Sequence, residues 1–278
     1  MDCHQKKLHS VLRIWLSMSK RLDLYLVENG YAQSRERAKN LILSGNVFVN
    51  DKSVLKAAVS VSDEDKIDVL GKDLEYVGRG ALKLKYAFEC FDISVNDKIC
   101  ADIGASTGGF TQIMLENGAK KVYAVDVGHG QLADIIKNDS RVVNCEGVNV
   151  RNLTKDFFCD EVEFMAADLS FISLKLVVPV LARCICDNGD LVTLIKPQFE
   201  AGKLALNKKG IVRNKKDHIR VLIELIQIFK YCGFSVVGLK VSAIKGGDGN
   251  IEYIAHLTKA ANMSLSFDIN DIVNSAFR

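Results

Sequence analysis

ADIGASTGGFTQ, residues 101–112, is the stretch of this chain that decides its fold. It places three glycines and a carboxylate within eight positions, directly after a short apolar run that begins at Lys98. Glycines at the end of a strand remove the side chains that would keep a small molecule away from the backbone. The stretch therefore predicts a ligand-binding turn that follows a buried strand.

The chain on either side of this turn alternates helical and strand-like segments from Gly80 onward. Alternation of this kind indicates a mainly parallel sheet that helices cover on both faces, which is an α/β Rossmann-like fold. The last two strands have no helix between them, so we expect an antiparallel edge. Strands are predicted over 98–104, 120–128, 141–147, 161–170, 190–198, 234–241 and 251–259, and helices over 81–91, 110–118, 130–138, 172–185 and 215–231.

Length and composition favour a soluble globular protein with one large and one small domain. The chain has 278 residues, of which 48% are hydrophobic and 26% are charged. Its eight cysteines are scattered and form no Cys-x-x-Cys pair, which indicates a reducing compartment and predicts a cytoplasmic protein. No apolar stretch approaches the length of a membrane span, and we interpret residues 1–17 as an extension rather than a signal peptide.

Positive charge is concentrated near the start of the chain. The net charge is +3; residues 18–60 hold seven Lys or Arg against four acids and residues 1–17 hold three against one, so residues 61–278 are slightly negative. A basic front end on a mildly acidic body suggests a module that binds a polyanion. On charge alone, a merely solvated basic face explains the same numbers.

The pattern of the front end favours the binding module. SRERAKNLILSG reads as a helix capped by Ser34 and ended by Gly45, and NVFVNDKSV reads as a hairpin that turns at residues 50–51. Residues 21–56 resemble the small α+β RNA-binding domain first known from ribosomal protein S4. The residues that we expect to bind RNA are Arg21, Arg35, Arg37, Lys39, Lys52 and Arg79.

The glycine turn and the end of the next strand indicate that the ligand is a methyl donor. Gly104, Gly108 and Gly109 do not fit G-x-G-x-x-G, and Asp126 ends the second strand, where both NAD and S-adenosylmethionine use an acid. Asp126 can equally be a turn or cap residue. The pattern D-x-G-x-x-x-G-G, which begins at Asp102, favours S-adenosylmethionine, because its ammonium group attracts a nearby carboxylate.

Four later residues decide the class of reaction. Strand four ends at Asp168 in Asp-Leu-Ser-Phe, where enzymes that methylate exocyclic amines have Asn/Asp-Pro-Pro-aromatic instead, and strand five ends at Lys196. A lysine at the end of a buried strand is costly unless it is paired, although a snorkelling lysine is an alternative. Lys83 and Glu252 are further polar residues in apolar surroundings.

In order and surroundings, Lys83, Asp168, Lys196 and Glu252 resemble the Lys-Asp-Lys-Glu tetrad of ribose 2′-O-methyltransferases. The motifs GRGALKL, DIGASTGGFT, AVDVGHGQL, DLSFISL, IKPQFE and GDGNIEY resemble those of the TlyA (hemolysin A) family. The resemblance implies an RNA-binding domain followed by an FtsJ-like, S-adenosylmethionine-dependent methyltransferase domain. It also implies 2′-O-methylation of a cytidine in the RNA of the small ribosomal subunit. A cytidine in the RNA of the large subunit is a further possible target.

The requirements of methyl transfer to an alcohol assign an expected role to each member of the tetrad. Lys196 is expected to be the general base, because burial and the Lys83 cation disfavour its charged form. Asp168 would orient Lys196 and approach the methyl donor, Lys83 would hold the ribose or phosphate, and Glu252 would fix a lysine; no metal is required. The expected cofactor-binding residues are Asp102, Gly104, Ser106, Thr107, Gly108, Phe110, Asp126, Val127, Asn149, Val150 and Asp168.

The predicted domain organisation has five parts: an extension (1–17), the RNA-binding domain (18–75), a linker (76–82), the methyltransferase domain (83–260) and a tail (261–278). The expected partner is ribosomal RNA or an assembled ribosomal subunit, with no membrane. Three rival functions are less well supported. A non-catalytic RNA-binding assembly factor does not need an intact tetrad, an NAD-dependent enzyme lacks its glycine motif, and a membrane-active toxin lacks an apolar segment.

Overall fold

The computed structural model describes residues 19–32, 34–43, 45–50, 52–62, 64–69, 76–246, 249–260 and 267–278. The chain divides into two compact units, Met1–Glu75 and Tyr76–Arg278. The predicted extension 1–17, Asp51 of the predicted hairpin turn and residues 261–266 of the predicted tail lie outside the described residues.

The first unit packs two helices beside short antiparallel strands. Leu22, Leu26, Ala38 and Ile42 of the helices are fully buried and form its core with Val47 and Val61. The Ser34 hydroxyl accepts a hydrogen bond from the Arg37 amide at 3.3 Å, so the predicted N-cap is confirmed. The elements are β1 (Lys20–Arg21), α1 (Leu22–Glu28), α2 (Arg35–Leu43), β2 (Val47–Val49), β3 (Lys52–Ser53), β4 (Ser60–Val61) and β5 (Ile67–Val69).

The second unit is an α/β structure around a seven-stranded sheet. Its strands are β6 (Ile99–Ile103), β7 (Lys121–Asp126), β8 (Val142–Glu146), β9 (Val162–Ala167), β10 (Ile185–Ile195), β11 (Ser235–Val241) and β12 (Tyr253–Thr258). Its α-helices are α3 (Ala81–Phe91), α4 (Gly109–Glu116), α5 (Asp134–Lys137), α6 (Leu174–Cys184), α7 (Pro197–Glu200), α8 (Lys215–Tyr231) and α9 (Ile269–Ala276).

The sheet confirms the predicted mainly parallel order. The strand order is β11-β12-β10-β9-β6-β7-β8, and the pairs from β10 to β8 are parallel. The antiparallel strand is β12, which pairs with both β10 and β11 and therefore lies one place inside the edge. A short connection from β11 to β12 allows this, because an antiparallel pair needs no crossover helix.

Apolar layers cover both faces of this sheet. Helices α3 and α4 contribute Leu84, Ile113 and Met114 to one layer, whereas α6 and α8 contribute Leu181 and Phe229 to the other. All five of these side chains are almost fully buried. Because both faces are covered, the ends of the parallel strands are where a ligand can approach the sheet.

Two segments that we predicted to lie outside the methyltransferase domain pack within the second unit. In the predicted linker 76–82, Tyr76 and Ala81 are buried in the core beside α3. In the predicted tail, α9 packs on α8 and buries Val273 completely. Among the described residues, no helix has the length and apolar character needed to cross a membrane.

Candidate active site

Polar side chains follow one another along the carboxyl edge of the parallel strands. Asp102 lies at the end of β6, Asp126 is the last residue of β7, and Asp168 and Lys196 come directly after β9 and β10. Parallel strands end at the same edge of a sheet, so this topology brings the four residues to one place. Each of these charged residues lies at or near a strand end because, in the sequence, an apolar run that forms the buried strand ends there.

The four residues of the predicted tetrad form one continuous chain of contacts. Lys196 Nζ lies 2.6 Å from Asp168 Oδ1, and Lys83 Nζ lies 3.3 Å from Asp168 Oδ2. Lys83 Nζ also donates a hydrogen bond of 2.7 Å to Glu252 Oε2. The order Lys196–Asp168–Lys83–Glu252 therefore joins β9, β10, the first turn of α3 and the residue before β12.

This cluster is buried and balanced in charge. Glu252 is 3% exposed, and Lys83 and Lys196 are each 7% exposed. Buried charges are tolerated only when they are paired, and here two ammonium groups face two carboxylates. The cost of burial thus explains why Lys196, at the end of β10, lies beside the Asp168 carboxylate that follows the neighbouring strand β9.

Asp168 remains ionised between the two lysines. Burial on its own raises the pKa of this carboxyl, but the adjacent Lys83 and Lys196 cations outweigh burial and hold the pKa below its ordinary value. Lys196 Nζ also donates to Ser170 Oγ at 3.0 Å. Sequence reasoning missed Ser170, although a hydroxyl two residues after Asp168, at a sheet edge, is a usable signal.

Asp102 is a buried carboxylate with one oxygen left over. It is 1% exposed, and its Oδ2 accepts hydrogen bonds from the amide and the hydroxyl of Thr111 at 2.8 and 2.7 Å. Its Oδ1 is buried and has no hydrogen-bond partner among the residues that the structure describes. Burial raises the pKa of Asp102 to about 7, even though the Thr111 hydrogen bonds act in the opposite direction. Thr111 was also missed; it lies in the first turn of α4.

The unpartnered oxygen of Asp102 fits the methyl donor that the sequence predicts. A buried acceptor without a partner is costly, so it calls for a donor from a ligand or a water molecule. The ammonium group of S-adenosylmethionine is a charged donor and would also return Asp102 to its ionised form. The residues present at the end of β6 therefore fit this cofactor.

The glycines of the turn also serve the protein's own backbone. Gly104 has a φ of +86°, and a Cβ atom there would lie 2.7 Å from the Asp168 carbonyl oxygen. In addition to the room for a ligand that the sequence predicts, Gly104 makes room for the segment that carries Asp168. Gly108, with a φ of +92°, is the N-cap of α4 and packs against Leu132 and Ile136.

Asp126 stabilises the glycine turn directly. Its two carboxylate oxygens accept hydrogen bonds from the amides of Ser106 at 2.8 Å and Gly128 at 2.7 Å. This is the turn-stabilising role that we weighed against ribose binding. A carboxylate has about four acceptor positions, so Asp126 can still accept hydrogen bonds from a ribose diol.

The other predicted cofactor-binding residues differ in how much surface they offer. Thr107 is exposed and Val127 is 69% exposed, so both are accessible at this edge. Phe110 and Val150 are buried in the core and offer little surface to a ligand. Asn149 is half-buried, and its Oδ1 accepts the Arg151 amide at 3.0 Å, which caps a short 3-10 turn.

In the first unit, a buried carboxylate holds two of the predicted RNA-binding residues. Asp23 is completely buried and bonds Arg21 through Nε at 2.9 Å and Nη2 at 3.1 Å, and it bonds Arg35 Nη2 at 3.1 Å. The Arg21 hydrogen bond is the main cause that lowers the pKa of Asp23 to about 2. Sequence reasoning missed Asp23, because it counted the arginines as free cations.

The remaining predicted RNA-binding residues lie in different settings. Lys39 and Lys52 are exposed on the first unit, whereas Arg37 is half-buried. Arg79 belongs to the second unit, where it is exposed and donates to the Lys245 carbonyl at 2.8 Å. The exposed lysines are therefore the cations of the first unit most available to a polyanion.

Comparison with known proteins places both units in known families. Residues 76–259 match the FtsJ-like methyltransferase model and residues 20–67 match the S4 domain. Over 237 residues, the chain is 46% identical to hemolysin A of Brachyspira hyodysenteriae. The aligned region covers 85% of this chain and 98% of hemolysin A. It is 41% identical over 247 residues to the 16S/23S rRNA (cytidine-2′-O)-methyltransferase TlyA of Mycobacterium tuberculosis (88% and 92%).

A solved structure agrees with these relatives. A hemolysin-named protein of Streptococcus thermophilus is 41% identical and has a TM-score of 0.75, covering 93% of this chain and 96% of its own.

Proposed function

Because this chain belongs to the FtsJ-like methyltransferase family and carries an S4 domain, we propose that it methylates a ribose 2′-hydroxyl of ribosomal RNA, with S-adenosylmethionine as the donor. The observation that carries the proposal is the contact chain Lys196–Asp168–Lys83–Glu252, with distances of 2.6 to 3.3 Å. It is supported by the TlyA relative, which is named for this activity.

The cluster suits the methylation of an alcohol. A ribose hydroxyl is a weak acid and must give up its proton as its oxygen attacks, so the site needs a base. Once the Lys196 ammonium has released its own proton to solvent, the amine can accept the ribose proton, and Asp168 at 2.6 Å stabilises the ammonium that forms again. Ser170 Oγ, 3.0 Å from Nζ, restricts the orientation of the amine.

Lys83 and Glu252 act next to this proton transfer. Lys83 Nζ is held by two carboxylates, so its ammonium has a fixed position from which it offsets negative charge that develops on the ribose oxygen. Glu252, which is buried and 2.7 Å away, holds Lys83 and keeps the cluster neutral. These two residues prepare the electrostatic environment, whereas Lys196 moves the proton.

Residues of the glycine turn would hold the methyl donor. S-adenosylmethionine supplies an electrophilic methyl carbon when it is bound. Asp102 Oδ1 would bind its ammonium group, and the remaining acceptor positions of Asp126 would bind its ribose. Gly104 keeps Asp168 packed against the turn, so the carboxylate that orients Lys196 lies next to the cofactor-binding residues.

We infer that the nucleoside is a cytidine, in the small subunit first and in the large subunit as an additional target. The inference rests on the TlyA relative, whose name gives both 16S and 23S RNA and cytidine. The S4 domain would bind structured RNA through its exposed lysines and through the arginines held by Asp23. Deleting the first unit should then leave cofactor binding intact and reduce methylation of subunits greatly.

The test is tritiated methyl transfer from S-adenosylmethionine to purified 30S subunits, 50S subunits and naked rRNA. We expect transfer to at least one of them and, after nuclease digestion, a 2′-O-methylcytidine. Transfer to a base rather than a ribose would contradict the tetrad assignment. Binding of RNA without any transfer would favour the non-catalytic assembly factor.

A further inference from the structure

A second strongly basic segment lies in the catalytic unit. Residues 201–216 contain six Lys or Arg and no acid, although residues 61–278 together are slightly negative. The side chains of Lys203, Lys208, Lys209 and Arg213 are exposed. In the part of the chain that the structure describes, none of these four forms an ion pair, in contrast to the arginines held by Asp23.

This segment is an ordered hairpin, which we call the basic hairpin (residues 202–214). Leu206 and Val212 form an antiparallel bridge, and the Asn207 amide donates to the Ile211 carbonyl at 3.0 Å. The Asn207 side chain accepts from the amides of Lys209 and Ile211 at 2.8 and 3.0 Å, which closes the tip. Gly210 has a φ of +72° and permits the turn.

A buried histidine anchors the hairpin to the sheet. Val212 is 3% exposed, and its carbonyl oxygen lies 3.0 Å from His218 Nε2. Because a carbonyl only accepts, Nε2 carries the hydrogen, and Nδ1 accepts from the Tyr253 hydroxyl at 2.9 Å. Burial lowers the pKa of His218, which keeps this neutral form. Tyr253 begins β12, next to Glu252 of the tetrad.

The other end of the hairpin begins close to the general base. Only α7 and Ala201 separate Lys196 from Gly202. Glu200 at the end of α7 is buried and accepts from the Ser173 hydroxyl at 2.6 Å and the Leu174 amide at 2.7 Å. One end of the hairpin thus follows Lys196 closely along the chain, and the other is linked through His218 to Tyr253 beside Glu252, which places the hairpin near the carboxyl edge of the sheet.

We propose that the basic hairpin binds the phosphate backbone of the RNA next to the ribose that is methylated. This inference rests on the proposed function and adds to it a substrate-binding surface on the catalytic unit itself. Exposed lysines without acidic partners are the groups that gain most from a phosphate, because no existing ion pair has to be broken. An ordered loop loses little conformational entropy when it binds.

RNA fits this surface better than a lipid bilayer does. Interfacial membrane binding needs an apolar face beside the cations, and Leu204 is the one large apolar side chain that stands out fully exposed in the hairpin. Lys208 and Lys209 lie in the polar turn that Asn207 closes, and Lys203 and Arg213 lie on either side of it along the chain. A polar, cationic tip suits a phosphate chain.

The test compares two triple variants of the full-length protein. In the hairpin variant, Lys203, Lys208 and Lys209 are replaced by Ala. In the control variant, Lys120, Lys137 and Lys230 are replaced by Ala; these lysines are equally exposed, form no ion pair among the described residues and lie near the opposite, amino edge of the sheet. Binding to purified rRNA is measured by fluorescence anisotropy over a series of salt concentrations, and methylation is measured separately.

We expect the hairpin variant to flatten the salt dependence of RNA binding by about 2 units of slope, since each phosphate contact contributes about 0.7–0.9. Its RNA affinity and its KM for RNA should weaken by about 10- to 100-fold at physiological salt, with kcat little changed. The control variant should match the wild type. A Lys→Arg triple variant at the hairpin positions should restore binding, and S-adenosylhomocysteine affinity should be the same throughout.

An equal slope in the hairpin variant and the wild type would overturn the proposal, as would an equal loss in the control variant. Loss of binding to phosphatidylserine vesicles with unchanged RNA binding would also overturn it and assign the hairpin to a membrane surface. If the wild type transfers no methyl group at all, the proposed function fails. The binding slopes still decide whether the hairpin contacts RNA.

Discussion

The two units of this protein contain the same arrangement of charges in different degrees of burial. In the first unit, buried Asp23 lies between Arg21 and Arg35, whose side chains are 46% and 52% exposed. In the second unit, Asp168 lies between Lys83 and Lys196, whose side chains are 8% and 9% exposed. The cations beside the central carboxylate are thus half-exposed in the first unit and buried in the second.

The type and the burial of the cations determine what each cluster can do. A guanidinium does not lose its proton in a protein, so an exposed arginine pair can bind phosphate but cannot transfer protons. An amine can lose its proton, so a lysine held beside the ribose hydroxyl can act as a base. Residue type and burial together separate a binding cluster from a catalytic one.

A third buried carboxylate shows what the cations contribute. In the described part of the chain no cation pairs with Asp102, and burial raises its pKa to about 7. The pKa of Asp23 is about 2 beside Arg21 and Arg35, and that of Asp168 is below its ordinary value beside Lys83 and Lys196. Burial alone therefore favours the neutral acid, and paired cations reverse the effect.

Replacing Lys196 by Arg is the sharpest test of this comparison, because it gives the buried cluster the chemistry of the exposed one. The cation beside Asp168 remains, but a guanidinium cannot accept the ribose proton. We expect kcat to fall by about 10²–10⁴-fold, as in Lys196→Ala, with RNA and cofactor affinities near those of the wild type. Single-turnover transfer of tritiated methyl groups measures this rate. Turnover by Lys196→Arg within a few-fold of wild type would show that Lys196 binds rather than accepts a proton.

Replacing Glu252 by Gln tests the second partner of Lys83. The 2.7 Å contact loses its charge but keeps an acceptor, so Lys83 becomes the excess charge of the cluster. A hydrogen bond between charged groups contributes about 1.5–3 kcal/mol, so kcat should fall by about 10- to 100-fold. Asp190→Asn is the control: it weakens a different paired carboxylate, which lies on β10 and bonds His256 at 3.0 Å. An equal loss in both variants would mean that the effect is general destabilisation.

Much of the catalytic unit could be predicted from the sequence, because its signals are local. An apolar run that ends in Asp126, Asp168 or Lys196 shows where a buried strand ends. Because helices and strands alternate, the strands are parallel, and these ends lie at the same edge of the sheet. The tetrad follows, since parallel strand ends gather residues that are far apart along the chain.

The features that could not be predicted depend on packing between distant segments. Asp23 is buried because α1 and α2 pack together, and the local sequence around Asp23 does not show that Arg35 will contact it. The Gly104 contact with Asp168 arises only when β6 and β9 lie side by side. The charge of the basic hairpin was concealed by averaging over a slightly acidic domain.

Replacing Asp102 by Asn tests the carboxylate without a cation. Its pKa is raised from an ordinary 3.8 to about 7, so the folded protein holds this proton more tightly than the unfolded chain does. Without cofactor, the Asp102 contribution to the free energy of unfolding is therefore present below about pH 4 and is lost as the pH rises to about 7. Affinity for S-adenosylhomocysteine, which has the same ammonium group, should rise about ten-fold from about pH 6 to about pH 8. Calorimetry on Asp102→Asn should show weaker binding without this rise; a rise of the same size would assign the titration to another group.

Replacing Asp23 by Asn should have the smallest effect, because it disturbs an exposed binding cluster and leaves the chemistry intact. The pKa of Asp23 is lowered to about 2, so the carboxylate stabilises the fold above its ordinary pKa of 3.8, and this stabilisation is lost as the pH falls towards 2. In Asp23→Asn the two arginines lose their charged acceptor, and the free energy of unfolding at neutral pH should fall by about 1–3 kcal/mol. KM for RNA should rise a few-fold with kcat unchanged, although the variant is one charge more positive. Asp68→Asn adds the same charge on the same unit, where Asp68 is 47% exposed beside Lys66, and it should bind RNA at least as well as the wild type. If Asp23→Asn also binds RNA more tightly, net charge matters at this surface and the fixed direction of Arg21 and Arg35 does not.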